Sequence, residues 1–212
     1  MKKKNLITYW DNYYDNIKNF GESSFAKFTL KYLKKKKRSK KIIDIGCGNG
    51  RDSLYFYKQN LNVVGIDISK KAIKKNSSYS KPKLKFVNLD IGKKTISGKF
   101  DFIYSRFFLH AINEKTEDKL LKLINKLKKK NTLLFLEYRN HKDLIFKNIK
   151  NKEHNQLIEF EKGHFRRIIY TKKFIKKISK LFRGKIIYNK SAKNLSIVKK
   201  DNPNLSRIIF KF

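Results

Sequence analysis

"KIIDIGCGNGRDSLYF", residues 41–56, sets a short apolar run, an acid and three alternate glycines in a row. Ile42, Ile43 and Ile45 read as a buried strand, after which the chain must turn sharply into a helix near Arg51–Gln59. Glycine accepts positive φ and lets backbone amides approach a ligand with no Cβ in the way, so Gly46, Gly48 and Gly50 suit a turn that wraps a bound molecule. A dinucleotide loop of the G-x-G-x-x-G kind needs glycine at 51, where this chain has Arg51. Here the third glycine stands at 50, and Asp44 precedes the first by two residues. Taken alone, such a turn also serves any strand-to-helix junction.

Working outward, short apolar runs alternate with helical stretches. Strands are expected at Lys41–Ile45, Asn62–Ile66, Leu84–Val87, Phe100–Tyr104 and Thr132–Glu137, with helices at Arg51–Gln59, Lys70–Asn76 and Glu114–Lys129. That alternation predicts an α/β, doubly wound and mostly parallel sheet of seven strands with helices on both faces. Residues 6–37 read as helical, 143–160 as a helical connection, and Thr171–Leu181 as a helix. Lys185–Tyr188 and Arg207–Phe212 are the last strands, and the turn signal Asn202-Pro203-Asn204 makes them an antiparallel hairpin at the sheet's end. No repeat or linker divides the chain, so a single domain over 1–212 is expected. Residues 1–38 would form an N-terminal helical lid, and 139–170 an insertion on the substrate side.

Composition narrows the class. A length of 212 residues suits one domain with a sizeable core. The lone cysteine, Cys47, allows no internal disulfide. The basic start lacks an apolar h-region and no apolar run approaches 18 residues, so a cytoplasmic protein without a signal peptide or transmembrane segment is expected. A formal charge of +37 invites a nucleic-acid reading. Yet Lys outnumbers Arg 46 to 8, with 20 Asn and 25 Ile against 4 Ala and 2 Pro, which is the signature of an AT-rich genome. The lysines are also spread along the whole chain, from 34–37 to 199–200. A solvated lysine coat is preferred to a dedicated nucleic-acid surface.

The next strands sharpen the glycine loop. "NVVGIDIS" ends in Asp67, 17 residues after Gly50, where a neighbouring parallel strand delivers a carboxylate able to accept both hydroxyls of a ribose. "LKFVNLDIG" places Asp90 between Leu89 and Ile91, a setting that suits an adenine ring. With "DIGCGNG", "GIDIS" and "NLDIG" in this order, the chain resembles the class I S-adenosylmethionine-dependent methyltransferases over residues 40 to 140, and more loosely elsewhere. The resemblance implies S-adenosylmethionine as cofactor and no metal. It places Asp44, Gly46, Cys47, Gly48, Asn49 and Gly50 around the methionine part, Asp67 and Ile68 at the ribose, Asp90 and Ile91 at the adenine, with Ser105 beside them. Cys47 fills a position suited to a small residue and is not read as a nucleophile. Tyr9, Trp10, Tyr13 and Tyr14 recur at helical spacing, a stripe that suits packing. In relatives of this type the N-terminal helix covers the donor, which adds Tyr14 to the cofactor residues and gives aromatic faces for a sulfonium.

The acceptor side is less determined. The loop after the fourth strand reads Tyr104-Ser105-Arg106-Phe107 rather than the Asn/Asp-Pro-Pro-aromatic loop of amino-methylating nucleic-acid enzymes, and no cysteine is placed for pyrimidine C5 chemistry. Arg106 and His110, four apart, would share one side of a helical turn, Arg106 as an anchor for an anionic substrate and His110 as a general base or a packing residue. Arg166 and Arg167 offer the bidentate geometry that lysine lacks, or else pair with Glu159 or Glu161. Glu137 and His164 are further candidates for acid–base work. The "GHFRR" segment and the tail "NLSIVKKDNPNLSRIIFKF" are similar to small methyltransferases of surface-polysaccharide biosynthesis. The expected activity is O-methylation of a small polar or anionic metabolite such as a sugar or phosphate-bearing precursor. An RNA methyltransferase and a non-catalytic binding module of the same fold stand as alternatives.

Overall fold

Alternating side chains of the central strands divide the core in two, one half on each face of a sheet. In the computed structural model, residues 3–16, 21–33, 40–161, 164–197 and 201–212 are described. The expected helix at 6–37 is two helices, α1 (Lys3–Asn16) and α2 (Ser24–Leu33), and positions 17–20 and 34–37 lie outside the described residues. The sheet comprises β1 (Lys41–Ile45), β2 (Asn62–Asp67), β3 (Leu84–Asn88), β4 (Phe100–Arg106) and β5 (Lys128–Arg139). A small hairpin, β6 (Leu157–Glu161) and β7 (His164–Arg167), stands apart from it, and β8 (Lys185–Ala192) and β9 (Leu205–Lys211) complete it. The intervening helices are α3 (Arg51–Lys58), α4 (Lys70–Ser77), α5 (Glu114–Leu127) and α6 (Thr171–Leu181). Strand order is β3-β2-β1-β4-β5-β9-β8, parallel from β3 to β5, with β9 antiparallel to both β5 and β8.

Period-two alternation explains the two halves. Ile43, Ile103, Leu134 and Ile208 face α5 and α6, whereas their neighbours Ile42, Phe102, Phe135 and Ile209 face α2 and α3. Both faces are covered at the centre of the sheet, so β1 and the inner part of β4 are buried on both sides, as central parallel strands are, whereas the edge strands β3 and β8 carry exposed polar residues. Helix starts are fixed locally. Ser69 accepts from the Ala72 amide to cap α4, and Asn113 accepts from the Thr116 amide to cap α5.

Two expectations fail here. The helical connection at 143–160 is instead a short 3-10 turn, Leu144–Phe146, followed by the β6 strand of the hairpin. That stretch holds Asn148, Asn151 and Asn155, and both Asn151 and Asn155 adopt positive φ, which a helix cannot carry. The strand expected at 100–104 runs on to Arg106, and Phe107 follows at φ 55°, so Arg106 and His110 do not share a helical turn. His110 sits in a separate 3-10 turn, Leu109–Ala111.

Arg167 docks the hairpin onto the main body. Its fully buried guanidinium donates to Glu117 of α5 at 2.5 Å, to the Leu109 carbonyl and to Asn155, while Lys177 of α6 reaches the other Glu117 oxygen at 2.7 Å. Glu159 and Glu161 are not its partners. Glu117→Gln leaves Arg167 buried beside a neutral group, and breaking such a pair costs about 3–5 kcal/mol. A chemical-denaturation midpoint unchanged in that variant would refute this account of the docking.

Candidate active site

Parallel strands deliver their carboxyl ends to one edge, and a cavity of about 410 Å³ opens there. The glycine loop forms its floor. Gly46, Gly48 and Gly50 take φ of 77°, 52° and 72°, a region open to glycine. A Cβ on Gly46 would lie 2.6 Å from the Phe108 ring, and one on Gly48 would overlap the Tyr14 hydroxyl. The Gly46 and Cys47 amides donate to the Ile66 carbonyl, and the Gly48 carbonyl accepts from Asn76 Nδ2 at 2.7 Å. The loop is thus pinned to both β2 and α4.

Asp67, at the end of β2, accepts from the Gly48 amide through Oδ2 and from the Ser69 amide through Oδ1, both at 2.9 Å. Burial raises its pKa and those backbone bonds pull it back down. Asp44 accepts from Ser53 at 2.6 Å, and burial with Asp52 nearby holds its carboxyl up at about 8. Asp52 accepts from the Ser23 amide and hydroxyl and from Tyr104, each at 2.7 Å.

Of the residues singled out in sequence, Tyr14, Asp44, Gly46, Cys47, Gly48, Asn49, Asp67, Ile68, Asp90 and Ile91 line this cavity, together with Arg106, His110 and Arg166. Gly50 does not; it is the N-cap of α3, packed against Asn76. Ser105 points to the other side of its strand and donates to the Ile45 carbonyl, bracing the loop from behind. Helix α1 forms the roof through Leu6, Trp10, Tyr13 and Tyr14. It is fastened at Asp11, which accepts from Ser69, and at Asp15, which pairs with Lys71 and Lys75. Midway along it, Tyr9 stacks on His164, with ring centroids 4.0 Å apart, and donates to Glu161.

The acid–base candidates are placed less usefully. Glu137 is buried outside the cavity wall, where Arg106 and Arg207 each take one oxygen, at 3.0 and 2.6 Å, and Ser196 donates as well. His164 does not line the cavity; its Nε2 accepts from Arg166, and burial followed by the Arg166 charge pushes its pKa down to about 3. His110 does line it, but its Nδ1 accepts the Arg139 amide at 3.1 Å, and burial next to Arg166 and Arg139 holds its pKa well below the usual range. Its neutral ring therefore carries hydrogen on Nε2 and presents a donor. Arg167 is structural, as described above.

Sequence reasoning missed Arg139, Asp52 and Asn76. Arg139 lines the cavity, paired with Asp143 at 3.0 Å and with Asp201. The rarity of arginine in this chain, which drew attention to Arg166, applied equally to Arg139. Asp52 and Asn76 carry no local signal, since their partners lie 29, 52 and 28 positions away.

Comparison with known proteins identifies the family and agrees with the fold. Residues 17–180 match the model of a family described as a methyltransferase domain. A ubiquinone biosynthesis O-methyltransferase of Pelagibacter ubique (strain HTCC1062) is 30% identical over 123 residues, covering 57% of this chain and 50% of that protein. The chain spans about half the length, or less, of the curated relatives it matches, at 50% and 42%. Among solved structures, a methyltransferase from Anabaena variabilis superposes with a TM-score of 0.72 at 17% identity, covering 98% of this chain and 93% of that one. The 1,6-didemethyltoxoflavin-N1-methyltransferase of Burkholderia thailandensis, with bound 1,6-didemethyltoxoflavin and S-adenosylhomocysteine, gives 0.66 at 13% identity, covering 88% and 76%. The chain belongs to the class I S-adenosylmethionine-dependent methyltransferase family. Among the described residues, no helix is long and apolar enough to cross a membrane.

The buried histidine has a pH signature. Below about pH 6.5 the unfolded chain binds a proton at His110 that the folded chain refuses, so stability is complete above that pH and declines as pH falls. The unfolding free energy of the wild type relative to His110→Leu should drop between pH 7 and pH 5, with a limiting slope of about 1.4 kcal/mol per pH unit. A difference independent of pH would show that His110 titrates normally.

Proposed function

We infer that the protein binds S-adenosylmethionine across the carboxyl ends of β1 to β3 and transfers its methyl group to oxygen on a small polar or anionic metabolite. The observation that carries this reading is the shared wall formed by the glycine loop and Asp67, which opens directly onto Arg106, Arg139 and Arg166 in one cavity. In this reading Asp44 and residues 46–49 hold the methionine part, and Asp67 still has lone pairs for the ribose hydroxyls. Asp90 with Ile68, Leu89 and Ile91 encloses the adenine. Trp10 and Tyr14 bring aromatic faces over a cation, a favourable contact where water is excluded.

When bound, the sulfonium supplies an electrophilic methyl carbon whose departure leaves a neutral thioether. The protein's task is then mainly to position and desolvate the two reactants. A cavity of about 410 Å³, roofed by α1, suits a small molecule rather than a polymer strand. The name of the Pelagibacter relative, an O-methyltransferase, supports oxygen as the acceptor atom.

Calorimetry with S-adenosylhomocysteine tests the donor half. Asp67→Ala removes hydrogen bonds made by a charged group and should weaken binding by about 1.5–3 kcal/mol. Gly48→Ala places a methyl group against Tyr14 at a positive φ and should weaken binding while displacing α1. Undiminished affinity in Asp67→Ala would remove that carboxylate from the donor site.

A further inference from the structure

An ordinary hydroxyl acceptor must lose a proton to a base within reach. Three side chains near the acceptor half of the cavity have the right chemistry, and none has a lone pair to spare. His110 spends its Nδ1 lone pair on the Arg139 amide, His164 its Nε2 lone pair on Arg166, and Glu137 is shared between Arg106, Arg207 and Ser196. Of the carboxylates that line the acceptor side, Asp52 accepts from Ser23 and Tyr104, and Asp201 is paired with Arg139.

The acceptor half offers positive charge instead. Arg106 and Arg139 face it with carboxylate partners behind them. Arg166 faces it without one. Among the described residues its guanidinium pairs with no carboxylate, its Nε is buried with no partner, and its one polar contact is to a neutral imidazole. It lies over Phe160 at 5.2 Å and Trp10 at 5.9 Å, and burial beside Arg139 brings its pKa down to about 10, so it remains charged at neutral pH. Glu161 acts on it only from beyond ion-pair distance and already accepts from Tyr9, so this desolvated cation has no direct counter-ion, a costly arrangement whose missing partner is an anion.

We propose that the acceptor is a carboxylic acid, seated with its carboxylate against Arg166, and that the methyl group goes to a carboxylate oxygen to give a methyl ester. This rests on the donor assignment above. The carboxylate oxygen forms a bond to the methyl carbon as the carbon–sulfur bond breaks, and the electron pair of that bond stays on sulfur. The acid is already ionised at neutral pH, so no proton moves and no base is required. The ester no longer carries the charge that held the substrate, and Arg166 therefore favours substrate over product.

Trp10 is the sole tryptophan and lines the cavity, so its fluorescence reports occupancy. Protein saturated with S-adenosylhomocysteine is titrated with benzoate and phenylacetate and with their neutral amides, benzamide and phenylacetamide. The acids should bind about tenfold or more tightly than the amides, a preference lost in Arg166→Gln and partly kept in Arg166→Lys. S-adenosylhomocysteine affinity, measured in the same variants, should change less than about twofold and shows that each is folded. Methyl label transferred to the acids should be released as volatile methanol by mild alkali. Equal binding of acids and amides, a preference that survives Arg166→Gln, no label transferred, or label that withstands alkali would each overturn the proposal. Failure of S-adenosylhomocysteine to bind the wild type would fell the donor assignment first, and this proposal with it.

Discussion

The buried carboxylate of Glu137 is the junction on which the cavity's far wall depends. It sits near the end of β5 and receives Arg106 from β4 and Arg207 from β9, with Ser196 closing its remaining side. Arg207 then reaches the Leu195 carbonyl and Ser24 at the start of α2, so a single carboxylate ties three strands, a loop and a helix. Two guanidiniums around one carboxylate leave a net positive charge, which faces the cavity through Arg106. A buried ion cluster of this kind adds little to stability over an apolar core, but it fixes a unique geometry because any other arrangement strands a charge.

The ends of the cavity have opposite character. On the proposed reading, Asp44, Asp67 and Asp90 line the donor end, whereas Arg106, Arg139 and Arg166 line the acceptor end, where Asp52 and Asp201 are already engaged by Ser23, Tyr104 and Arg139. A cationic donor and an anionic acceptor would each meet the complementary end, and each would make the other's seat more favourable. The raised pKa of Asp44 fits this segregation, because several carboxylates in one dry wall cannot all ionise easily without a cation among them.

Much of this was legible in the sequence because the controlling signals are local. The alternation of apolar runs announced the sheet, and the glycine loop with two strand-terminal acids pointed to residues that the fold brings together in one cavity. Those features act within a few residues of themselves. The acceptor end was harder to read because its side chains are placed by contacts between distant segments. Glu137 and Arg167 looked like site residues by type, yet they spend their charge on Arg207 and Glu117, 70 and 50 positions away. Residues 143–160 were expected to be helical, but Asn151 and Asn155 turn the chain there at positive φ. Arginine scarcity was the better guide. In a chain with 46 lysines, four of the eight arginines line the cavity and two more are in buried pairs, where a point charge cannot replace a planar fork.

The fastening of α1 has a kinetic consequence. The helix roofs the end of the cavity proposed for the donor, and on that reading the spent donor would leave only as the roof lifts. Part of its clasp to α4 is Asp15 with Lys71 and Lys75, whose side chains are 45%, 48% and 53% exposed. Such pairs are weak and screened by mobile ions over a Debye length of about 8 Å at physiological ionic strength. The cavity's interior charges are sheltered from the same ions. On that reading the surrounding electrolyte would loosen this exposed part of the fastening and shorten the dwell of the spent donor, while the Asp11–Ser69 hydrogen bond and the Tyr9–His164 stack set how far salt alone can go.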